Sequence, residues 1–191
     1  MKFLTFACAL SLTASLTLPV RADTPDHSAA KFASGYGNII YLGAAVGLPF
    51  AQDGENGGRH AARAIDAIGT TVILTEGIKA LVREKRPDSN EHNSFPSGHA
   101  SAAFAAATME SAWHPKQAPY WYLGAALISY SRVRLNRHYV QDVLAGAALG
   151  YGVARLELSR PRGLLLFPLV QPDRRGGKDG SVVGLQMSGQ F

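Results

Sequence analysis

Apolar and polar positions along this chain fall into long blocks with the length of helices. Residues 38–51 (NIIYLGAAVGLPFA) are an apolar run of helix-like composition, short for a bilayer span. Within 61–86, Ile65, Ile68, Val72, Leu74, Ile78 and Leu81 follow much of a helical stripe, interrupted by Asp66, Glu76 and Lys79. Pro87 is expected to end that helix, because the residue before proline disfavours the α region. An Ala-rich helix is predicted from about Ser97 to Trp113, where His114-Pro115 breaks it. Further helices are predicted over 119–135 and 138–158. In the second of these, Ala145, Gly146, Ala148, Gly150 and Gly152 predict close helix contacts. Residues 23–35 read as a loose polar terminus, and 52–60 (QDGENGGRH) and 87–96 (PDSNEHNSFP) as loops.

The pattern changes after 163. Leu164 to Val170 is a strand-like apolar run, and a turn-rich stretch follows. Val183, Leu185, Met187 and Phe191 then alternate with Gly184, Gln186, Ser188 and Gln190. The expectation is a mainly α fold, a helical bundle over 23–163, with a short β-hairpin over 164–191 covering it. No internal repeat or heptad run is visible, and no stretch reaches about eighteen apolar residues free of charge.

Residues 1–22 have the form of a secretory signal peptide. Lys2 supplies the positive start, Phe3 to Leu18 the apolar stretch, and Val20-Arg21-Ala22 a small-residue cleavage site. The expected location is therefore exported, and periplasmic if the source is Gram-negative. Cys8, the one cysteine, lies in that segment, so the mature chain is expected to have neither a disulfide nor a thiol nucleophile. Composition then narrows the classes. The net charge of +5 would fall by two on losing Lys2 and Arg21, too mild for a nucleic-acid partner without a clustered stripe. The cations instead cluster near three short segments, which points to a small anionic substrate.

The first segment is Lys79 to Arg86. Seven residues are two helical turns, so both cations would share a face, flanked by Arg83. They could reach the oxygens of one phosphate, or merely complement a helix dipole. The second is Pro96-Ser97-Gly98-His99. If Ser97 caps the next helix, free N–H groups make an anion site, Gly98 permits close approach and His99 can hand over a proton. A plain capping serine beside a solvated histidine fits equally well. Residue 95 is Phe, so no G-x-S-x-G serine elbow is present. The third runs from Ser131 to Asp142 (SRVRLNRHYVQD). On a helix, His138 and Asp142 at i and i+4 would share a face, letting the carboxylate orient the imidazole beside fixed cations. Alone, this equally suits a basic helix start.

Taken in order, Lys79-(six residues)-Arg86-Pro87, Pro96-Ser97-Gly98-His99 and Ser131-Arg132-(five residues)-His138-(three residues)-Asp142 resemble the three-part signature of the PAP2 phosphatase superfamily. That superfamily includes bacterial class A acid phosphatases, lipid phosphate phosphatases and vanadium haloperoxidases. The resemblance covers about residues 60–155. It implies His138 as nucleophile forming a phosphohistidine, Asp142 as its orienting group, and His99 as proton donor to the leaving group. It also implies Lys79, Arg86, Arg132, Ser97 and the Gly98 amide as phosphate ligands.

No cofactor and no metal is expected, because His27, His60, His92 and His114 are scattered without an acidic cluster. The expected partner is a phosphorylated small molecule or lipid. Association with a membrane surface and oligomerisation stay open. Tyr36, Tyr41, Trp113, Tyr120, Trp121 and Tyr122 fit either core packing or a lipid-facing rim. Two other functions compete: a vanadate-dependent haloperoxidase, and a non-catalytic envelope protein binding through its hairpin edge. Arg134 and Arg137 fall off the signature and are expected to face solvent or the rim of the site.

Overall fold

The computed structural model describes residues 27–160 and 163, which form a helical bundle. The expected signal peptide and the β-hairpin lie outside the described residues, and no strand occurs among those described. The elements are α1 (Ser28–Phe32), a π-helical turn (Ala33–Gly37), α2 (Asn38–Gln52), α3 (Gly57–Val82), α4 (Gly98–Trp113), α5 (Ala118–Arg134) and α6 (Val140–Ser159). Short 3₁₀ turns at Gly54–Asn56 and Pro115–Gln117 join α2 to α3 and α4 to α5. Helix therefore begins at Ser28, inside the stretch read as a loose terminus.

Helix α4 is the centre, packed against α2, α3, α5 and α6. Its Ala-rich sequence explains this position. Ala100, Ala102, Ala103, Ala105, Ala106 and Ala107 are all buried, and their short side chains let four neighbours approach at once. The closest approach is on α6. A Cβ on Gly146 would sit 2.5 Å from the Ser97 carbonyl oxygen, and one on Gly150 would sit 2.0 Å from that of Ser101. The expected small-residue contact is thus made by Gly146 and Gly150. Gly152 has open space where a Cβ would be, and Ala148 is exposed.

The stripe predicted on α3 is turned the other way. Ile65, Val72, Leu74 and Leu81 are exposed, whereas Ala61, Ala64, Asp66, Ala67, Thr70, Thr71 and Thr75 are buried. Large side chains cannot fit where helix backbones pack this closely, so small and hydroxylated residues take the inner face. Thr75 and Ser101 share a hydrogen bond of 2.9 Å there. The same inversion recurs outside: Ile39, Ile40 and Phe50 of α2, Leu123 and Leu127 of α5, and Leu144 of α6 face outward. The aromatic residues divide. Trp121 is buried against α2, with Tyr41 donating to its carbonyl at 2.6 Å, while Tyr36 and Tyr120 are exposed. Among the described residues no helix is long and apolar enough to cross a membrane.

Candidate active site

The three segments meet where α3 ends and where α4 and α6 begin. Helix α3 stops at Val82, four residues before the expected end. Arg83 closes it in the left-handed conformation (φ 52°), its N–H donating to the Lys79 carbonyl at 3.0 Å. Arg83 and Arg86 therefore lie beyond the helix. Pro87 sets only an outer limit, and the loop draws the chain off earlier. The Arg86 N–H donates to the Glu91 carbonyl at 2.9 Å, and its Nε donates to Asn93 Oδ1 at 2.5 Å. Lys79 stays on the last turn, paired with Glu76 at 2.8 Å. Its Nζ lies 3.5 Å from where a Gly98 Cβ would stand, so Gly98 is what lets the first segment touch the second.

Ser97 occupies the N-cap of α4 with extended dihedrals (φ −72°, ψ 115°). It is buried, yet its Oγ has no hydrogen-bond partner among the described residues. Its N–H donates to the Asp142 carbonyl at 2.9 Å, joining the second segment to the third. An unpartnered buried hydroxyl at the start of a sixteen-residue helix suits an anion.

In the third segment Arg132 sits on the last turn of α5, only 8% exposed. A left-handed Asn136 (φ 55°) turns the chain, and the Arg137 N–H returns to the Arg132 carbonyl at 2.9 Å. His138, 3% exposed, precedes α6, and Asp142 lies in that helix's first turn. The pair is therefore not stacked along one helical face as the spacing suggested. His138 Nδ1 stands 3.5 Å from Asp142 Oδ2, wide of a normal hydrogen bond. Oδ2 is held instead by the Ser94 hydroxyl at 2.6 Å and the Tyr139 N–H at 2.9 Å. Arg137 reaches the rim, 3.0 Å from Asp88.

The electrostatics follow from burial among cations. The pKa of His138 is lowered to about 4, first by burial, then by Arg132 and Arg86, against the pull of Asp142. That of His99 also falls to about 4, by burial and then Arg132, with Lys79 and Arg86 adding to the effect. Burial and the neighbouring Arg86 and Arg137 lower Arg132 to about 10. Both imidazoles are thus neutral at pH 7. His99 Nε2 lies 3.0 Å from the Ser34 carbonyl oxygen, which can only accept, so Nε2 carries the proton. Arg132 donates to the Ser34 hydroxyl.

All eight candidate residues gather at this junction, and three others join them that the sequence did not single out. Ser94 fixes Asp142, Asn93 fixes Arg86, and Ser34 faces His99 and Arg132. The first two read as ordinary loop polarity, and the third comes from a segment sixty-five residues from His99. Far from the junction, Asp53 gathers two of the histidines read as scattered, His60 at 2.6 Å and His114 at 3.0 Å. Each contact sets a ring nitrogen against a carboxylate oxygen, and no group of three His, Cys, Asp or Glu among the described residues is arranged to hold a metal ion.

A family model of the PAP2 superfamily matches residues 61–162, which contain every one of the eight candidates. The chain belongs to the PAP2 superfamily. Among curated proteins, this PAP2 chain is similar to a lipid A 1-phosphatase of Porphyromonas gingivalis, at 41% identity over 97 residues. It is also similar to a lipid A 4'-phosphatase of Helicobacter pylori, at 36% over 97 residues. Each match covers 48% of this chain, but 22% of the first relative and 48% of the second. The chain therefore spans half or less of the matched proteins' length. Among solved structures, the crystal structure of Aquifex aeolicus LpxE is similar with a TM-score of 0.54 and 25% identity, over 70% of this chain and 82% of that one.

Proposed function

We propose that this PAP2 protein is an exported, metal-independent phosphatase that removes phosphate from lipid-linked phosphomonoesters through a phosphohistidine. The observation that carries the reading is the convergence of Lys79, Arg86 and Arg132 on two neutral histidines, half-buried His99 and buried His138, the latter backed by a carboxylate. The nucleophile is the unprotonated ring nitrogen of the histidine that a carboxylate orients. Nδ1 of His138 faces Asp142, which leaves Nε2 to attack phosphorus. Once the phosphate dianion is bound, His99 takes up a second proton from solvent and delivers one to the leaving oxygen as the P–O bond breaks. His99 then takes a proton from water, the water oxygen attacks phosphorus, and the P–N bond returns its electron pair to His138. Lys79, Arg86, Arg132, the Ser97 hydroxyl and the Gly98 amide meet charge growing on the phosphoryl oxygens in the transition state.

Two observations support a lipid substrate. The curated relatives are lipid A phosphatases by name. The outer faces of α2, α5 and α6 also carry large exposed apolar side chains, Ile40, Leu127 and Leu144 among them, of the kind that rest on a membrane surface. The test uses phosphorus-labelled lipid A and small phosphomonoesters. His99→Ala should accumulate label on the protein, and His138→Ala should take up none. Labelling that survives His138→Ala would sink the assignment. Faster turnover of small esters than of lipid would remove the lipid part of the reading.

A further inference from the structure

The π-helical turn Ala33–Gly37 sits on the same donors that a phosphate would use. The Ser34 carbonyl takes the His99 Nε2 proton at 3.0 Å, and the Ser34 hydroxyl takes a guanidinium N–H of Arg132. One residue thus presents two oxygens to the proton donor and to the most buried cation of the site. The segment packs on α5 and on the start of α2 without entering the core. Neither α1 nor the π turn contributes a buried residue. Gly35 leaves helical dihedrals (φ −100°, ψ −105°), and the space around it is open. Helix α2 just beyond is anchored by buried Ala45 and Pro49 and by the Tyr41–Trp121 bond. Flanking Ser34, Phe32 and Gly37 border an apolar groove of about 640 Å³ that continues along Ile40, Leu48 and Trp121.

We propose that Ala33–Gly37 is an autoinhibitory latch in which Ser34 mimics two phosphate oxygens, and that an entering phosphate displaces it by a swing at Gly35. The inference rests on the phosphatase reading and adds its regulation. The physics favours exchange in one direction only. Without phosphate, Ser34 satisfies buried donors that would be costly to leave unpaired. A phosphate dianion brings full negative charge to the same donors, forming an ion pair with Arg132 where Ser34 offers only a neutral hydroxyl, and so replaces it. Apparent affinity is reduced by the fraction of molecules already open.

Hydrogen exchange of the full chain, with and without orthovanadate, tests this directly. Vanadate that inhibits should speed exchange of the amides of residues 33–37. Ser34→Ala should bind vanadate about tenfold tighter, the effect of losing one charge-assisted contact. It should also raise kcat/KM for a small phosphomonoester. Inhibition by vanadate with unchanged or slowed exchange at 33–37 would overturn the latch and leave the phosphatase reading standing. A fall in kcat/KM for Ser34→Ala without tighter vanadate binding would make Ser34 a substrate ligand and overturn it too. Vanadate that neither binds nor inhibits would overturn both readings.

Discussion

The contact between α6 and α4 can be broken by a single methyl group. Gly150→Ala places a Cβ 2.0 Å from the Ser101 carbonyl oxygen and 2.9 Å from the Ala105 nitrogen. Both are backbone atoms of the central helix and neither can turn aside, so α6 must retreat by roughly an ångström to restore ordinary contact. Overpacking of this kind costs ~1–3 kcal/mol. Alanine also recovers about 0.5–1 kcal/mol of helix propensity relative to glycine, which has to be subtracted. Gly152→Ala isolates that second term, since Gly152 lies on the same helix with open space around it. The expected result in urea unfolding is a lower midpoint for Gly150→Ala and an unchanged or higher one for Gly152→Ala. Activity adds a second readout. Helix α6 carries Asp142 and directly follows His138, so its retreat from Ser97 loosens the site, and a shift of this size costs on the order of 100-fold in rate. Equal stability and equal activity of the two variants would refute the claim that glycine at 150 sets the distance between the catalytic segments.

Three further outcomes follow from the same geometry. Glu110 is fully buried with neither oxygen partnered among the described residues, and burial followed by the charge of Asp53 raises its pKa from 4.5 to about 8. The folded state therefore holds a proton that the unfolded chain releases, and stability falls as pH rises from about 4.5 to about 8. Glu110→Gln should abolish that fall, gaining on the order of a few kcal/mol over wild type at pH 9 and little at pH 4, as read by urea unfolding. Ser94→Ala removes the 2.6 Å donor to buried Asp142. A loss of about 1.5–3 kcal/mol in stability and a reduced kcat are expected, and Ser94→Thr should restore part of both. With both histidines near 4 in the free protein, kcat/KM should peak on the acid side, its limbs bracketing about pH 4. The alkaline limb of kcat should lie higher, because a bound phosphate dianion favours protonated His99.

The candidate residues were legible because they lie in short segments of fixed spacing, while the contacts that join those segments were not. Lys79, Arg86, Ser97, Gly98, His99, Arg132, His138 and Asp142 could be picked from the chain and do gather. Four of the predicted helices appear within a residue or two of their expected limits, because His114-Pro115 and the 87–96 loop interrupt the chain locally, whereas α3 begins at Gly57, inside the stretch read as the 52–60 loop. The end of α3 was misjudged because it depends on Arg86 being drawn to Asn93 and Glu91, residues whose own position is set by the fold. The His138–Asp142 pair was placed on a helix because the spacing allows it, whereas the pair straddles the start of α6. The inner face of α3 was misread for a different reason. Hydrophobic periodicity assumes that large apolar residues seek the interior, and here close helix packing selects small or polar residues, Ala61, Ala64, Ala67, Thr71 and Thr75 among them. Ser34 left no trace in the sequence, since nothing local ties a serine in an N-terminal turn to a histidine sixty-five residues on.

The close packing and the electrostatics of the site have one origin. A core lined by alanine, glycine, serine and threonine brings helix ends together without bulky side chains between them, and so crowds Lys79, Arg86 and Arg132 around two histidines. Such crowding would ordinarily destabilise a fold. Here it lowers both imidazole pKa values, which keeps His138 uncharged over most of the pH range, as its proposed role as nucleophile requires. The two histidines differ in what they face. His138 is backed by Asp142, whose carboxyl partly offsets the cations whether or not substrate is present. His99 has no carboxylate behind it among the described residues and bonds the Ser34 carbonyl, so its proton affinity depends on what stands in that position. Exchange of a neutral carbonyl for a phosphate dianion there raises the proton affinity of His99 while the cations are being neutralised. In the proposed reaction the general acid is therefore charged by the arrival of its own substrate, and a neutral ligand filling the same cradle would leave it uncharged at pH 7.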